Sequence, residues 1–390
     1  VTPRLRRLGL ALLGLLVVLA ALALWQREAL LRLNAVNTLF AEDRIVHNFS
    51  HMGTLFETAP IPVGAPADPL PAGNPLPMPR GYDAWLARRA VTGIVVLRDG
   101  AVVHEAYRLG TGPEDLRISW SVAKSYLSGL FGILMQQGHI DSLDDPVTKY
   151  APDLAGSAYD GVSIRHVLQM ASGVEFDEDY LDFWSDINKM GRVLALGGSM
   201  DAFAAGLEAR TGPPGQDWAY VSIDTHVLAM VLRGATGQSL TELMGTHLLG
   251  PLGTRAAPYY VTDGDGVAFA LGGLNLTTRD YARMGELFRQ GGRFDGRQIV
   301  PADWVAASTA PSAPTDPGAI RYGYQWWIPA DARTGEFLAR GVYGQYVYIG
   351  RQSGTVVAVN AADRAFREAG AYGDALGMLR AIAARNGETP

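Results

Sequence analysis

Strand-forming sequence stands at both ends of the folded part of this chain, with helical patterns between, and this placement most narrows the architectures open to it. Near the start, Thr92–Leu97 and Ala101–Tyr107 flank Arg98-Asp99-Gly100, and an Asp-Gly turn between β-branched runs predicts a β-hairpin. Near the end, Val342–Ile349 and Thr355–Asn360 lie on either side of Gly350–Gly354 and read as strands again. Between them, helical spacing predicts helices over 121–137 (closed by Gly138), 164–170 (with Ser163 as N-cap), 223–232, 240–248 and 278–290. The pattern predicts an α/β fold: an antiparallel sheet drawn from both chain ends, flanked by helices, with a helical lobe inserted.

The first 80 residues have a different texture. Leu8–Trp25 carries no charge and follows Arg4, Arg6 and Arg7. Such a stretch is long enough to cross a bilayer, and the arginines keep its start cytoplasmic. Residues 1–30 are therefore expected to be an N-terminal membrane anchor. Ala21-Leu22-Ala23 leaves open a cleaved signal sequence. Either way the remainder is expected outside the cytoplasm, anchored to the inner membrane and facing the periplasm, or secreted. Residues 27–58 look helical in part, and eight of the 22 prolines then fall between Pro60 and Pro79, so residues 31–80 are expected to form a Pro-rich tether. Beyond it, residues 81–136 and 276–390 are expected to make the α/β half, and 137–275 the helical lobe.

Composition removes several classes of function. A net charge of -6 with no basic stripe argues against nucleic-acid binding, and the absence of cysteine excludes thiolate zinc sites and thiol nucleophiles. The seven histidines (47, 51, 104, 139, 166, 226 and 247) are scattered, and neither H-E-x-x-H nor G-x-S-x-G occurs. No metal and no cofactor is expected.

The chemistry points instead to Ser121-Val122-Ala123-Lys124 at the start of a predicted helix. Residues three apart share a helix face, so the lysine amine reaches back to the serine hydroxyl. A desolvated, neutral lysine takes a proton from serine; arginine cannot. Only three of the 33 Lys and Arg residues are lysines, Lys124, Lys149 and Lys189, so a lysine here is not one more surface cation. A capped surface turn with a solvated Lys is the alternative reading of the tetrapeptide. Downstream, Tyr220-Val221-Ser222 precedes another helix. Its phenol is expected to be held toward the phenolate by the nearby ammonium and to carry a proton to a leaving group, with Ser222 hydrogen-bonding nearby.

Ser-x-x-Lys, Tyr-x-Ser about a hundred residues later, and the late run Gly341-Val342-Tyr343-Gly344-Gln345-Tyr346 together resemble class C β-lactamases, family VIII carboxylesterases and nylon-oligomer hydrolases. The phrases His166–Gly173, Gly272-Gly273-Leu274-Asn275 with Thr278-Arg279-Asp280, and Tyr322–Trp327 are similar too, and the resemblance spans roughly residues 81–385. It implies a β-lactamase or penicillin-recognising fold, with Ser121 as acylated nucleophile, Lys124 as its base and Tyr220 as proton carrier. It also implies an oxyanion hole from the backbone N–H groups of Ser121 and Val342, and substrate contacts from Tyr180, Ser222, Gly341 and Tyr343. Departures accompany the likeness. Where β-lactamases have Lys-Thr-Gly this chain has Ala339-Arg340-Gly341, so the lysine is absent and a β-lactam carboxylate loses its cationic partner unless Arg340 substitutes for it; Arg333-Thr334-Gly335 is a second candidate. Ser185-Asp186 is followed by Ile187 rather than asparagine. The aspartate that receives an ammonium group in nylon-oligomer hydrolases falls on Gly191. These features imply a serine hydrolase for small esters or amides, most simply a carboxylesterase, with an aminohexanoate-oligomer amidase, a weak β-lactamase or D-Ala-D-Ala peptidase, and a non-catalytic penicillin-binding-like sensor as alternatives.

Overall fold

The computed structural model describes residues 3–385. Its largest sheet has seven antiparallel strands and is assembled from both chain ends. From one edge the order is Ala101–Tyr107, Val91–Arg98, Thr355–Ala361, Gln345–Gly350, Glu336–Gly341, Trp327–Ile328 and Arg321–Tyr322. The join is the pairing of Val91–Arg98 with Thr355–Ala361, where Arg98 faces Thr355 and Val91 faces Ala361 across one register shift.

Side-chain alternation along Val91–Arg98 explains why both faces are covered. Ile94 and Val96 point to a core under the helices Tyr82–Arg88 and Ala371–Ala383. Val95 and Leu97 point to the opposite, larger core, which holds Val122, Leu130, Met284 and Phe288 of the helices Val122–Gln136 and Thr278–Arg289. Each fully buried aliphatic side chain here contributes roughly 1.5–3 kcal/mol. Gly285 lets the second of these helices approach the sheet: a Cβ there would lie 2.4 Å from Val356 Cγ1.

The helical lobe includes Ile164–Leu168, capped by Ser163, together with Asp186–Ala195 and Ser222–Thr236. The helix expected over 240–248 is Leu240–Leu243 continued by a π-helical stretch, Met244–Leu249. The late run also differs from the expected strand. Glu336–Gly341 ends, Val342–Gly344 turns, and Gln345 begins the next strand with Gly341 opposite it. Tyr343 is the reason, since its φ of 58° cannot continue a strand.

Pro3–Trp25 forms a helix long and apolar enough to cross a membrane, and none of its residues is buried against the rest of the protein. Residues 31–80 are not a free tether. The helices Arg27–Thr38 and Ile45–Ser50 bury Ala35, Leu39, Ile45 and Phe49, and Thr58–Pro60 pairs with Tyr259–Val261. The proline-rich part is extended, as its composition requires, but it is bound along its length: Ile61, Ala67, Gly73 and Leu76 donate backbone hydrogen bonds to Pro258, Thr254, Val102 and Val103. Apolar residues spaced among the prolines dock the segment.

Candidate active site

Ser121 sits at the N-terminus of the Val122–Gln136 helix, and its hydroxyl makes no capping bond. Helical geometry brings Lys124 alongside. Its Nζ lies 3.0 Å from Ser121 Oγ and donates a second hydrogen bond of 3.0 Å to the Leu271 carbonyl. Lys124 is 1% exposed, because the helix is wedged between the sheet and the helical lobe. Burial pushes its ammonium down to about 7, and the carboxyls of Glu178 and Asp224 only partly counter this.

Tyr220 reaches the same point from the segment before Ser222–Thr236. Its ring packs on Trp327 with centroids 5.1 Å apart, and Lys124 Nζ lies 5.3 Å from its ring centroid. The expected drift toward phenolate does not occur. Burial drives the phenol well above its ordinary value and Glu178 adds to this, while Ser121, Arg340 and Ser222 pull back less strongly. With the amine depressed and the phenol raised, the amine is the group poised to lose its proton at neutral pH.

Two buried carboxyls complete the surroundings. Asp224 accepts a 2.7 Å hydrogen bond from the Tyr159 hydroxyl and is pushed up to about 8, chiefly by burial. Glu178, also raised by burial, accepts from the Ser222 N–H. Neither stood out in the sequence: Asp224 reads there as an acidic first-turn helix residue, and Glu178 is one of several acidic residues in a loop.

The late turn comes within reach of Ser121. A Cβ on Gly341 would lie 2.9 Å from the Ser119 carbonyl and 3.1 Å from Ser121 N, so only glycine allows this approach. Among the described residues, neither the Ser121 N–H nor the Val342 N–H donates to a backbone acceptor. Left-handed residues flank both donors, Trp120 with φ 43° and Tyr343 with φ 58°. A non-glycine residue in that region costs of order 1–3 kcal/mol. Aromatic packing holds them: the Phe40 ring stacks on Tyr343 at 4.6 Å, and Phe49 lies 5.4 Å from Trp120.

Ser121 opens into a cavity of ≈ 570 Å³ whose walls include Glu178, Tyr180, Tyr220, Trp327, Arg340 and Val342. Arg340 crosses Trp327 and Tyr372 at 5.4 and 4.5 Å from their ring centroids. The exposed Arg333 lies in the turn before the strand and lines no part of this cavity. Tyr180 joins Ser121 there, and Asn188 braces its loop through bonds to the carbonyls of Tyr180 and Asp182. Ser185 caps the Asp186–Ala195 helix. Tyr343, expected at the substrate, lines neither this cavity nor a smaller one described below: its left-handed backbone turns the ring between Phe40 and Phe366. Among the described residues, no group of His, Asp or Glu is arranged to hold a metal ion.

Comparison with known proteins agrees with this geometry. The beta-lactamase family model matches residues 84–379. A 6-aminohexanoate-dimer hydrolase from Paenarthrobacter ureafaciens is 31% identical over 342 residues, covering 82% of this chain and 86% of the relative. A solved structure from Bacillus anthracis, described as a candidate 6-aminohexanoate-dimer hydrolase, aligns with a TM-score of 0.78 at 22% identity, over 88% of this chain and 95% of that one. The octameric penicillin-binding protein homologue from Pyrococcus abyssi aligns with a TM-score of 0.60 at 21% identity, over 79% and 77%. Sequence and fold thus lead to one conclusion: the chain is a hydrolase of the beta-lactamase family.

Proposed function

We propose that this protein hydrolyses small, largely uncharged carboxylic esters through an acyl-enzyme on Ser121. The contact that carries this reading is the 3.0 Å approach of the buried Lys124 amine to Ser121 Oγ. Neutral Lys124 takes the hydroxyl proton as Oγ bonds to the substrate carbonyl carbon. The carbonyl oxygen gains the electron pair and is held by the N–H groups of Ser121 and Val342. When the tetrahedral intermediate collapses, the bond to the leaving oxygen breaks and Tyr220 gives that oxygen a proton, regaining one from Lys124. Water then adds to the acyl carbon by the same route, releasing the acid and restoring Ser121.

Ester substrates are favoured because an alkoxide needs less proton assistance than an amide nitrogen. Amide hydrolysis of the 6-aminohexanoate type is the second reading, supported by the 31% identical relative. Against it stands Gly191, whose nearest neighbour at the Cβ position is Val36 Cγ1 at 3.5 Å, so no carboxylate there meets an ammonium. The helix Pro3–Trp25 is read as a membrane anchor or signal sequence that carries the remainder out of the cytoplasm.

The test is fluorophosphonate labelling of the purified protein alongside kcat/KM for p-nitrophenyl butyrate, nitrocefin and the 6-aminohexanoate linear dimer. Ser121→Ala should abolish labelling and turnover with the fold intact. Activity above a few per cent in that variant would refute the assignment, and nitrocefin or the dimer as best substrate would move it to a β-lactamase or an oligomer amidase.

A further inference from the structure

Ser121 also lines a second, smaller cavity of ≈ 100 Å³, to which Tyr220 does not contribute. One wall is built by Val36, Leu39, Phe40, Met52 and Phe56, all upstream of the region that matches the family model, and the facing wall includes Leu194, Phe269 and Leu271. Among the described residues, no charged side chain lines it. Its polar lining residues include Ser121, Tyr180, Asn188 and Ser222.

The two cavities meet at the nucleophile, so a bound ester has its carbonyl at Ser121 and one arm in each. Tyr220 decides which arm goes where. The group that protonates the departing oxygen must adjoin the leaving group, and Tyr220 lines the wide cavity but not the small one. The acyl chain is left with the small, apolar cavity. We propose that the segment of residues 36–56 is part of the active site and forms the wall of an acyl pocket selecting a short, unbranched, uncharged aliphatic chain. This wall is held in place. The helix Arg27–Thr38 packs along Asp186–Ala195, Arg32 donates a 3.0 Å hydrogen bond to the Ala195 carbonyl, and Phe40 and Phe49 pack on Trp120 and Tyr343 beside the two oxyanion donors.

The proposal rests on Ser121 acting through an acyl-enzyme, and the experiment separates the two. The full-length protein in detergent is assayed with p-nitrophenyl acetate, butyrate, hexanoate, octanoate and decanoate and labelled with a fluorophosphonate. The wild type should prefer hexanoate to acetate by at least about tenfold in kcat/KM, the factor that a single methylene seated in a fitted apolar pocket already supplies. Gly191→Leu fills the pocket from a helix position in its lining where a Cβ meets only Val36 Cγ1 within 4 Å, and should lower the hexanoate-to-acetate ratio about tenfold. Leu39→Ala enlarges it and should move the optimum to a longer chain. If labelling persists and all three proteins share one chain-length profile, the pocket assignment is wrong while the Ser121 chemistry stands. If the wild type neither labels nor turns over any ester, both fall.

Discussion

Lys124 provides the sharpest quantitative test, because its proposed role depends on a proton it should lack. A solvated lysine titrates near 10.5, and burial here brings the amine down to about 7. At pH 7 roughly half the molecules then carry a neutral amine, against about one in 3,000 for the unperturbed group, a gain in available base on the order of 10³. The charged amine is the inactive form, so kcat/KM for p-nitrophenyl butyrate should rise with pH, about tenfold per unit below the midpoint, and level off above it. Glu178 favours the ammonium form. Removing its charge in Glu178→Gln should therefore lower the amine further and move the rising limb to lower pH. Lys124→Arg keeps the charge and the reach, yet a guanidinium is not deprotonated in a protein, so kcat should fall about 10³-fold on the plateau above the midpoint and the rising limb should vanish. Initial rates from pH 5.5 to 9.5, normalised to active sites by fluorophosphonate titration, provide the profile. An arginine variant with wild-type kcat would reduce Lys124 to an electrostatic element. A wild-type limb nearer 10 would mean that burial does not neutralise the amine.

Other expectations follow from contacts around the site and in the core. Gly341→Ala places a methyl 3.1 Å from Ser121 N, and displacing one oxyanion donor should cut kcat about 10²-fold or more with KM little affected; an unchanged kcat would show that the late turn does not adjoin the oxyanion. Tyr220→Phe should damage amide turnover at least about tenfold more than ester turnover, because nitrogen needs the proton more; equal losses would mean that the phenol does not protonate the leaving group. Gly132→Ala sets a Cβ 2.2 Å from Trp304 Cγ, and overpacking of this kind costs about 1–3 kcal/mol. A thermal melt should show the loss, while labelling per folded molecule stays at the wild-type level.

Much of the architecture was legible because it depends on short-range pattern. β-branched runs around Asp99-Gly100 became the hairpin, Ser163 became a cap, and Ser121 and Lys124 share a face because a helix repeats every 3.6 residues. Tyr220 stands out in the sequence through its spacing to a helix start and a family likeness, but its phenol shifts away from phenolate rather than toward it. Sequence places an ammonium near it but does not reveal that burial strips both groups of water, and desolvation is the largest cause of each shift.

Local periodicity and residue type suffice for the Asp99-Gly100 hairpin, the main helices between the two strand regions and the chemically distinctive pair. The environment of that pair and the identity of its neighbours come from the assembled fold. Glu178, Asp224 and Arg340 are separated from Ser121 by 57, 103 and 219 positions in the chain, and no local pattern encodes which of many acidic or basic residues will be buried beside it. The segment after the apolar helix shows the same limit. Its prolines imply an extended chain, and the chain is extended; whether that strand lies free or is bound depends on apolar side chains finding complementary cavities across the fold, as Phe40 and Phe49 do against Tyr343 and Trp120. Burial is a property of the assembled core, and both the acidity of Lys124 and the pocket beside Ser121 come from it.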